Sequence, residues 1–173
     1  MCGIVGYLGK GSAQESLVDG LRRLEYRGYD SAGVAFHEGG EFSLSRETGR
    51  VENLANALRG SGSSSSLGIA HTRWATHGAV TVSNTHPHQS YDGKFVMVHN
   101  GVIENFGTLK HFLEGKGISF SSETDSEVLC NLIAYHYSEL PDDENRFVDA
   151  VRLALPKCRG AYGIAVLCLD YPD

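Results

Sequence analysis

CGIVGYL, residues 2–8, is short, apolar and rich in strand-forming residues, and it reads as a buried strand with a thiol at its first position. The elements that follow must bury that strand. Ser12 and Glu15 fit a capping box, and Leu17, Val18, Leu21 and Leu24 recur at helical spacing, so 13–26 is an amphipathic helix ended by Arg27-Gly28. Residues 33–37 and 41–46 alternate around Gly39-Gly40 and predict a hairpin. A short helix is expected over 50–59, and SGSSSS at 61–66 reads as exposed loop. Strands are expected at 67–72 and 94–99, separated by a long polar segment, 73–93, whose length marks it as functional or disordered. Helices follow over 105–115, over 124–138 (opened by Ser122 or Thr124) and over 144–155, and a last strand covers 161–169. Strands come in pairs and helices in groups, without strict βαβ alternation. The fold class is therefore α+β, antiparallel sheet packed on helices, and a two-sheet core between helical layers would use these elements well.

Length and composition bound the rest. A chain of 173 residues with 41% hydrophobic and 21% charged residues is an ordinary globular domain that needs no disulfide scaffold. The formal charge of −6 disfavours nucleic acid as the main partner. No apolar run approaches a membrane span, and no signal peptide precedes the first strand, so a cytoplasmic protein with free thiols is expected. Glycine is the outlier, with 21 of 173 residues. Cys2, Cys130, Cys158 and Cys168 form no CxxC pair. Cys130 and Cys168 sit in apolar patterns and read as small buried hydrophobes.

Four short segments carry chemistry. Removing Met1 would place a thiol and a free α-amine on Cys2, with reference pKa values of about 8.5 and about 7.7–8.0. Nucleophile and base then share one residue. Arg73 offers a planar fork suited to a carboxylate, within His71-Thr72-Arg73-Trp74-Ala75-Thr76-His77-Gly78. Asn100-Gly101 can supply a side-chain amide and a backbone N–H to a developing oxyanion. Asp125, opening a long apolar helix, can receive an ammonium. Each has a plain alternative: a chance cysteine after Met, a surface salt bridge, a hairpin turn, an acidic helix start. Trp74, the sole tryptophan, stands in a polar loop where a functional role competes with a core one. Eight histidines raise a metal hypothesis, with His71, His77, His86, His88 and His99 as candidates. Their spacing matches no common ligand pattern, so no metal is assigned and the rings are expected to tie loops together by hydrogen bonds.

Together these residues resemble the glutaminase domain of the class II (N-terminal nucleophile) glutamine amidotransferases. The resembling stretches are MCGIVGYLG at 1–9, GLRRLEYRGYDSAGVA at 20–35, GIAHTRWATHG at 68–78, NTHPH at 84–88, VHNGVIEN at 98–105, SFSSETDSEV at 119–128 and RGAYGIAV at 159–166. LEYRGYDSAG with HTRWATHG separates the sequence from the purine-pathway and asparagine-forming branches. The resemblance implies a four-layer αββα sandwich over 1–173, with Cys2 as nucleophile after loss of Met1. It implies an oxyanion hole from Asn100 and Gly101, a glutamine carboxylate clamp at Arg73 and an α-amino partner at Asp125. Thr76 and His77 would belong to a loop closing over glutamine. Trp74 would gate the ammonia route, Arg27 would order the nucleophile region, and His86 would take a supporting role.

The implied reaction is hydrolysis of L-glutamine through a thioester, with no cofactor. In full-length members, expected to be homodimers, the ammonia aminates fructose 6-phosphate in a sugar-isomerase half. The chain stops at Asp173, short of the family's domain, so a C-terminally incomplete sandwich is expected and sugar amination cannot belong to these residues alone. The alternative reading is a fragment that binds glutamine without turning it over. A retained Met1 would produce that state by blocking the base as an amide.

Overall fold

The computed structural model describes residues 2–60, 63–74 and 79–172. Its elements are β1 (Gly3–Leu8), α1 (Ala13–Leu24), β2 (Ser31–Glu38), β3 (Glu41–Thr48), α2 (Val51–Ala57), β4 (Leu67–Arg73), β5 (His88–Gln89), β6 (Phe95–Gly101), α3 (Phe106–Glu114), α4 (Asp125–Glu139), α5 (Arg146–Ala154) and β7 (Tyr162–Cys168). Short 3₁₀ turns at Glu25–Arg27 and Leu155–Lys157 extend α1 and α5.

Two antiparallel sheets carry the fold, one ordered β1-β4-β2-β3 and one β5-β6-β7. Alternation along each strand decides which layer a side chain joins. Ala32, Val34 and Phe36 of β2 and Ala70 of β4 pack with Leu17, Leu21 and Leu54 of α1 and α2. Phe95 and Met97 of β6 pack with Leu113, Leu129 and Ile133 of α3 and α4. The opposite parities, Ala35, Ile69, Val96 and Val98, meet between the sheets, with Ile4, Phe42, Leu44, Ala165 and Leu167 against them. The layers therefore run helix, sheet, sheet, helix. Burial of a residue such as Val98 or Ile69 contributes about 1.5–3 kcal/mol relative to exposure.

Three expectations change. Ser12 makes no side-chain cap to α1, so the capping box is not formed. Ser16 Oγ donates to the Ser12 carbonyl instead, at 3.4 Å. The polar segment 73–93 contains a two-residue strand, β5, too short to leave a period. Asn100-Gly101 is not a hairpin turn, because β6 stays paired with β7 through Gly101↔Tyr162. Helix α4 starts as expected, with Thr124 Oγ1 accepting from Glu127 N at 3.2 Å. It is buried on nearly all sides along Asp125–Ala134, which is why it shows little amphipathic contrast.

Candidate active site

The parities that build the inter-sheet layer also build the site. Ile69, His71 and Arg73 share one face of β4, and Val96, Val98 and Asn100 share one face of β6. Both rows begin apolar and end polar. Cys2 continues the row that Ile4 begins on β1. The three polar ends meet where the apolar filling stops, and the space left is a cavity of about 450 Å³. Cys2, Arg27, Arg73, Trp74, His86, His99, Asn100, Gly101, Val102, Thr124, Asp125 and Ser126 line it.

Pairing of Gly3 with Thr72 carries Cys2 to the end of β4. There the Trp74 backbone N–H donates to Cys2 Sγ at 3.2 Å, and the thiol lies 3.6 Å from the Trp74 carbonyl. Asn100 Nδ2 donates to the Cys2 carbonyl at 3.2 Å, across 98 positions of sequence. Gly101 has φ of 132°, and a Cβ there would collide with the Ala161 carbonyl, so only glycine holds this corner. Arg73 is 3% exposed, and its Nη1 donates to the Ala79 carbonyl at 3.3 Å. Asp125 is 5% exposed at the start of α4, and its Oδ2 accepts from Ile103 N at 2.8 Å. A carboxylate there also gains from the helix dipole.

Trp74 is half-exposed at the mouth, edge-on to Tyr29 at 5.6 Å. Arg27 lines the cavity from the exposed turn after α1, its Nε donating to the Tyr26 hydroxyl at 3.0 Å. The structure thus gathers Cys2, Arg27, Arg73, Trp74, His86, Asn100, Gly101 and Asp125 around one space. Thr76 and His77 lie outside the described residues, as does Met1.

Four histidines are buried here, His86 and His99 in the cavity wall and His71 and His88 behind it. His86 Nε2 and His99 Nδ1 lie 2.8 Å and 2.7 Å from Ser126 Oγ, and His88 Nε2 lies 3.0 Å from Thr124 Oγ1. His71 Nε2 reaches Asn100 Oδ1 at 2.8 Å and the His99 carbonyl at 3.1 Å. A Cβ at Gly33 would meet the His86 carbonyl, so glycine lets the segment carrying His86 lie across β2. Burial pushes His71 down to about 4 and His88 to about 3, and drives His86 well below its usual value; neighbouring positive charges add to this. These three rings are neutral near pH 7. Among the described residues, no group of three or more His, Cys, Asp or Glu side chains is arranged to hold a metal ion. His86, His88 and His99 reach hydroxyls at the α4 start, and His71 ties β4 to β6.

Sequence reasoning passed over Ser126, Thr124 and Val102 as site residues, and it raised His99 only as a candidate metal ligand. Ser126 had a usable sign, because it follows Asp125 at a helix start. His99 faces α4 because it alternates with Asn100, a relation visible only once β6 is placed.

A family profile described as "Glutamine amidotransferase domain" matches residues 44–140, more than half of the chain. The chain belongs to the glutamine amidotransferase family. It is 50% identical over all 173 residues to glutamine–fructose-6-phosphate aminotransferase (isomerizing) of Symbiobacterium thermophilum, and 49% identical to that of Acinetobacter baylyi. It covers 27% of each of those relatives. Among solved structures, glutamine phosphoribosylpyrophosphate amidotransferase from B. subtilis superposes with a TM-score of 0.80 at 24% identity, over 98% of this chain and 35% of that one. The structure titled as the allosteric regulatory enzyme of purine biosynthesis follows at 0.79 and 25%, over 96% of this chain and 35% of that one. These likenesses bear on the fold, and they agree with the amidotransferase sandwich. No described helix is long and apolar enough to cross a membrane.

Proposed function

We propose that this chain hydrolyses the side-chain amide of L-glutamine to glutamate and ammonia, with Cys2 as nucleophile once Met1 is removed. The observation that carries the reading is convergence. Cys2, Arg73, Asn100 and Asp125 come from four separated segments and line one cavity, with the Asn100 amide held against Cys2. Its volume suits a single amino acid. Arg73 binds the α-carboxylate of glutamine and Asp125 the α-ammonium, which leaves the side-chain amide for the thiol.

The α-amine of Cys2 takes the thiol proton as sulfur attacks the amide carbon. Negative charge collects on the former carbonyl oxygen and is held by Asn100 Nδ2 and the Gly101 N–H. The C–N bond breaks, the nitrogen leaves as ammonia with the proton from the α-amine, and a thioester remains. Water, deprotonated by the same amine, attacks the thioester and releases glutamate and the thiol. Each step closes on residues of this chain, so the route calls for no cofactor. Thr76 and His77 close over the substrate, Trp74 gates the departing ammonia, Arg27 orders the nucleophile region and His86 supports the site from below.

The curated relatives are named for transfer to fructose 6-phosphate. We assign the same acceptor to the ammonia made here, at a site beyond these 173 residues, in a cytoplasmic homodimer. Glutamate release measured for the protein and for Cys2→Ala tests the reading, with intact mass reporting the loss of Met1. Turnover confined to the protein with a free Cys2 amine is expected. Equal glutamate from Cys2→Ala would refute it. Glutamine-dependent thermal stabilisation without turnover, on a chain that keeps Met1, would favour binding alone.

A further inference from the structure

A carboxamide has two ends of similar size and opposite polarity. If Asn100 were turned by half a rotation about its last bond, Oδ1 would face the developing oxyanion and repel it. Something must hold the amide the useful way round. The structure assigns that task to His71: its Nε2–H binds Asn100 Oδ1 and thereby points Nδ2 towards Cys2. His71 is a positioning residue, and the inference rests on the glutaminase reading above.

Both partners of His71 Nε2 are oxygens that only accept, Asn100 Oδ1 at 2.8 Å and the His99 carbonyl at 3.1 Å. Nε2 must therefore carry the hydrogen. At the other end Asn100 Nδ2 lies 3.2 Å from the Cys2 carbonyl, also an acceptor, so both contacts agree on one orientation. The ring has little freedom to turn away. It is 1% exposed, and its centroid lies 4.1 Å from that of His86. Burial also keeps it neutral near pH 7, so it presents a single N–H. Its place on β4, two residues before Arg73, ties the oxyanion donor to the strand that carries the carboxylate clamp.

The test compares His71→Phe, which keeps a ring without the donor, with His71→Gln, which restores an N–H near the Nε2 position. A preorganised oxyanion donor is worth about 100–1,000-fold in kcat, so losing its orientation should lower kcat by roughly 10–100-fold. The KM for glutamine should stay within about threefold, because Arg73 and Asp125 are untouched, and His71→Gln should recover most of the loss. In an Asn100→Ala background, His71→Phe should cost less than about threefold more, since nothing is left to orient. Full additivity, or a Gln variant no better than Phe, would overturn the assignment.

Cys2→Ala, run alongside, tests the glutaminase reading separately. A readout independent of turnover is long-range ¹H–¹⁵N NMR of the protein, which should show the Nε2–H tautomer of His71. An Nδ1–H tautomer there would overturn the assignment whether or not glutamine is consumed or the Phe variant folds.

Discussion

Replacing Asn100 by alanine separates a catalytic donor from a structural one. The side chain makes two contacts, accepting from His71 Nε2 at 2.8 Å and donating to the Cys2 carbonyl at 3.2 Å. Their loss is structurally mild. His71 Nε2 keeps the His99 carbonyl at 3.1 Å, so no buried N–H is stranded, and Cys2 itself is only partly buried and lines the cavity. One net hydrogen bond of about 1 kcal/mol is the expected cost. For a domain of this size that lowers the melting temperature by about 2–4 °C. The chemical loss should be much larger. An oxyanion donor contributes about 2.7–4 kcal/mol to the transition state, so kcat for glutamate release should fall about 100–1,000-fold. KM should hold within about threefold, because the proposed clamp for the α-carboxylate and α-ammonium, Arg73 and Asp125, is untouched. Asn100→Asp, similar in shape but charged against the oxyanion, should fall at least as far. The measurements are steady-state glutamate release and thermal unfolding on the same preparations. A kcat within about threefold of the parent, or a KM that rises in step with the fall in kcat, would show that Asn100 does not act on the transition state.

Asp125→Asn should raise KM for glutamine far more than it lowers kcat, by the roughly 2–5 kcal/mol that a broken buried ion pair costs, while the amide oxygen can still accept from Ile103 N. Titration of glutamine against initial rate checks this, and an unchanged KM would remove Asp125 from the substrate clamp. Gly101→Ala should destabilise the fold by about 1–3 kcal/mol or more, since φ of 132° and the Ala161 carbonyl both exclude a side chain; urea unfolding measures it.

Stability should fall as pH drops below about 6.5. His71 and His88 have folded values near 4 and 3, so the unfolded chain binds more protons across that window. Each such ring contributes a slope of up to about 1.4 kcal/mol per pH unit, gone above its unfolded value. His88→Gln, which can still meet Thr124 Oγ1, should reduce the slope between pH 6.5 and 4. The same slope in both proteins would show that His88 is not held neutral by burial.

Much of this molecule is decided within short windows of sequence. The period of 17, 18, 21 and 24 makes α1, the alternation around Gly39-Gly40 makes the β2–β3 hairpin, and Thr124 opens α4 through its own third neighbour. Strand parity goes part of the way: it sets Ile69 with His71 and Val96 with Val98, while the continuation of those rows to Arg73 and Asn100 appears only because β4 and β6 run past the expected ends at 72 and 99. The residue types of the site were legible for the same reason: thiol, guanidinium, amide and carboxylate declare their chemistry individually.

Tertiary structure alone decided which of them meet. Nothing within ten residues of Cys2 requires it to reach Trp74 or Asn100; that follows from the β1–β4 register and from two sheets burying a shared apolar layer. The same competition for burial left Ser12 uncapped and kept β6 extended through a dipeptide that locally favours a turn. It also sank three histidines deep enough to stay neutral. Local preferences amount to about 1 kcal/mol each, and closing a layer of buried side chains outweighs them. The cavity forms where that apolar layer stops and the polar ends of three strands face one another.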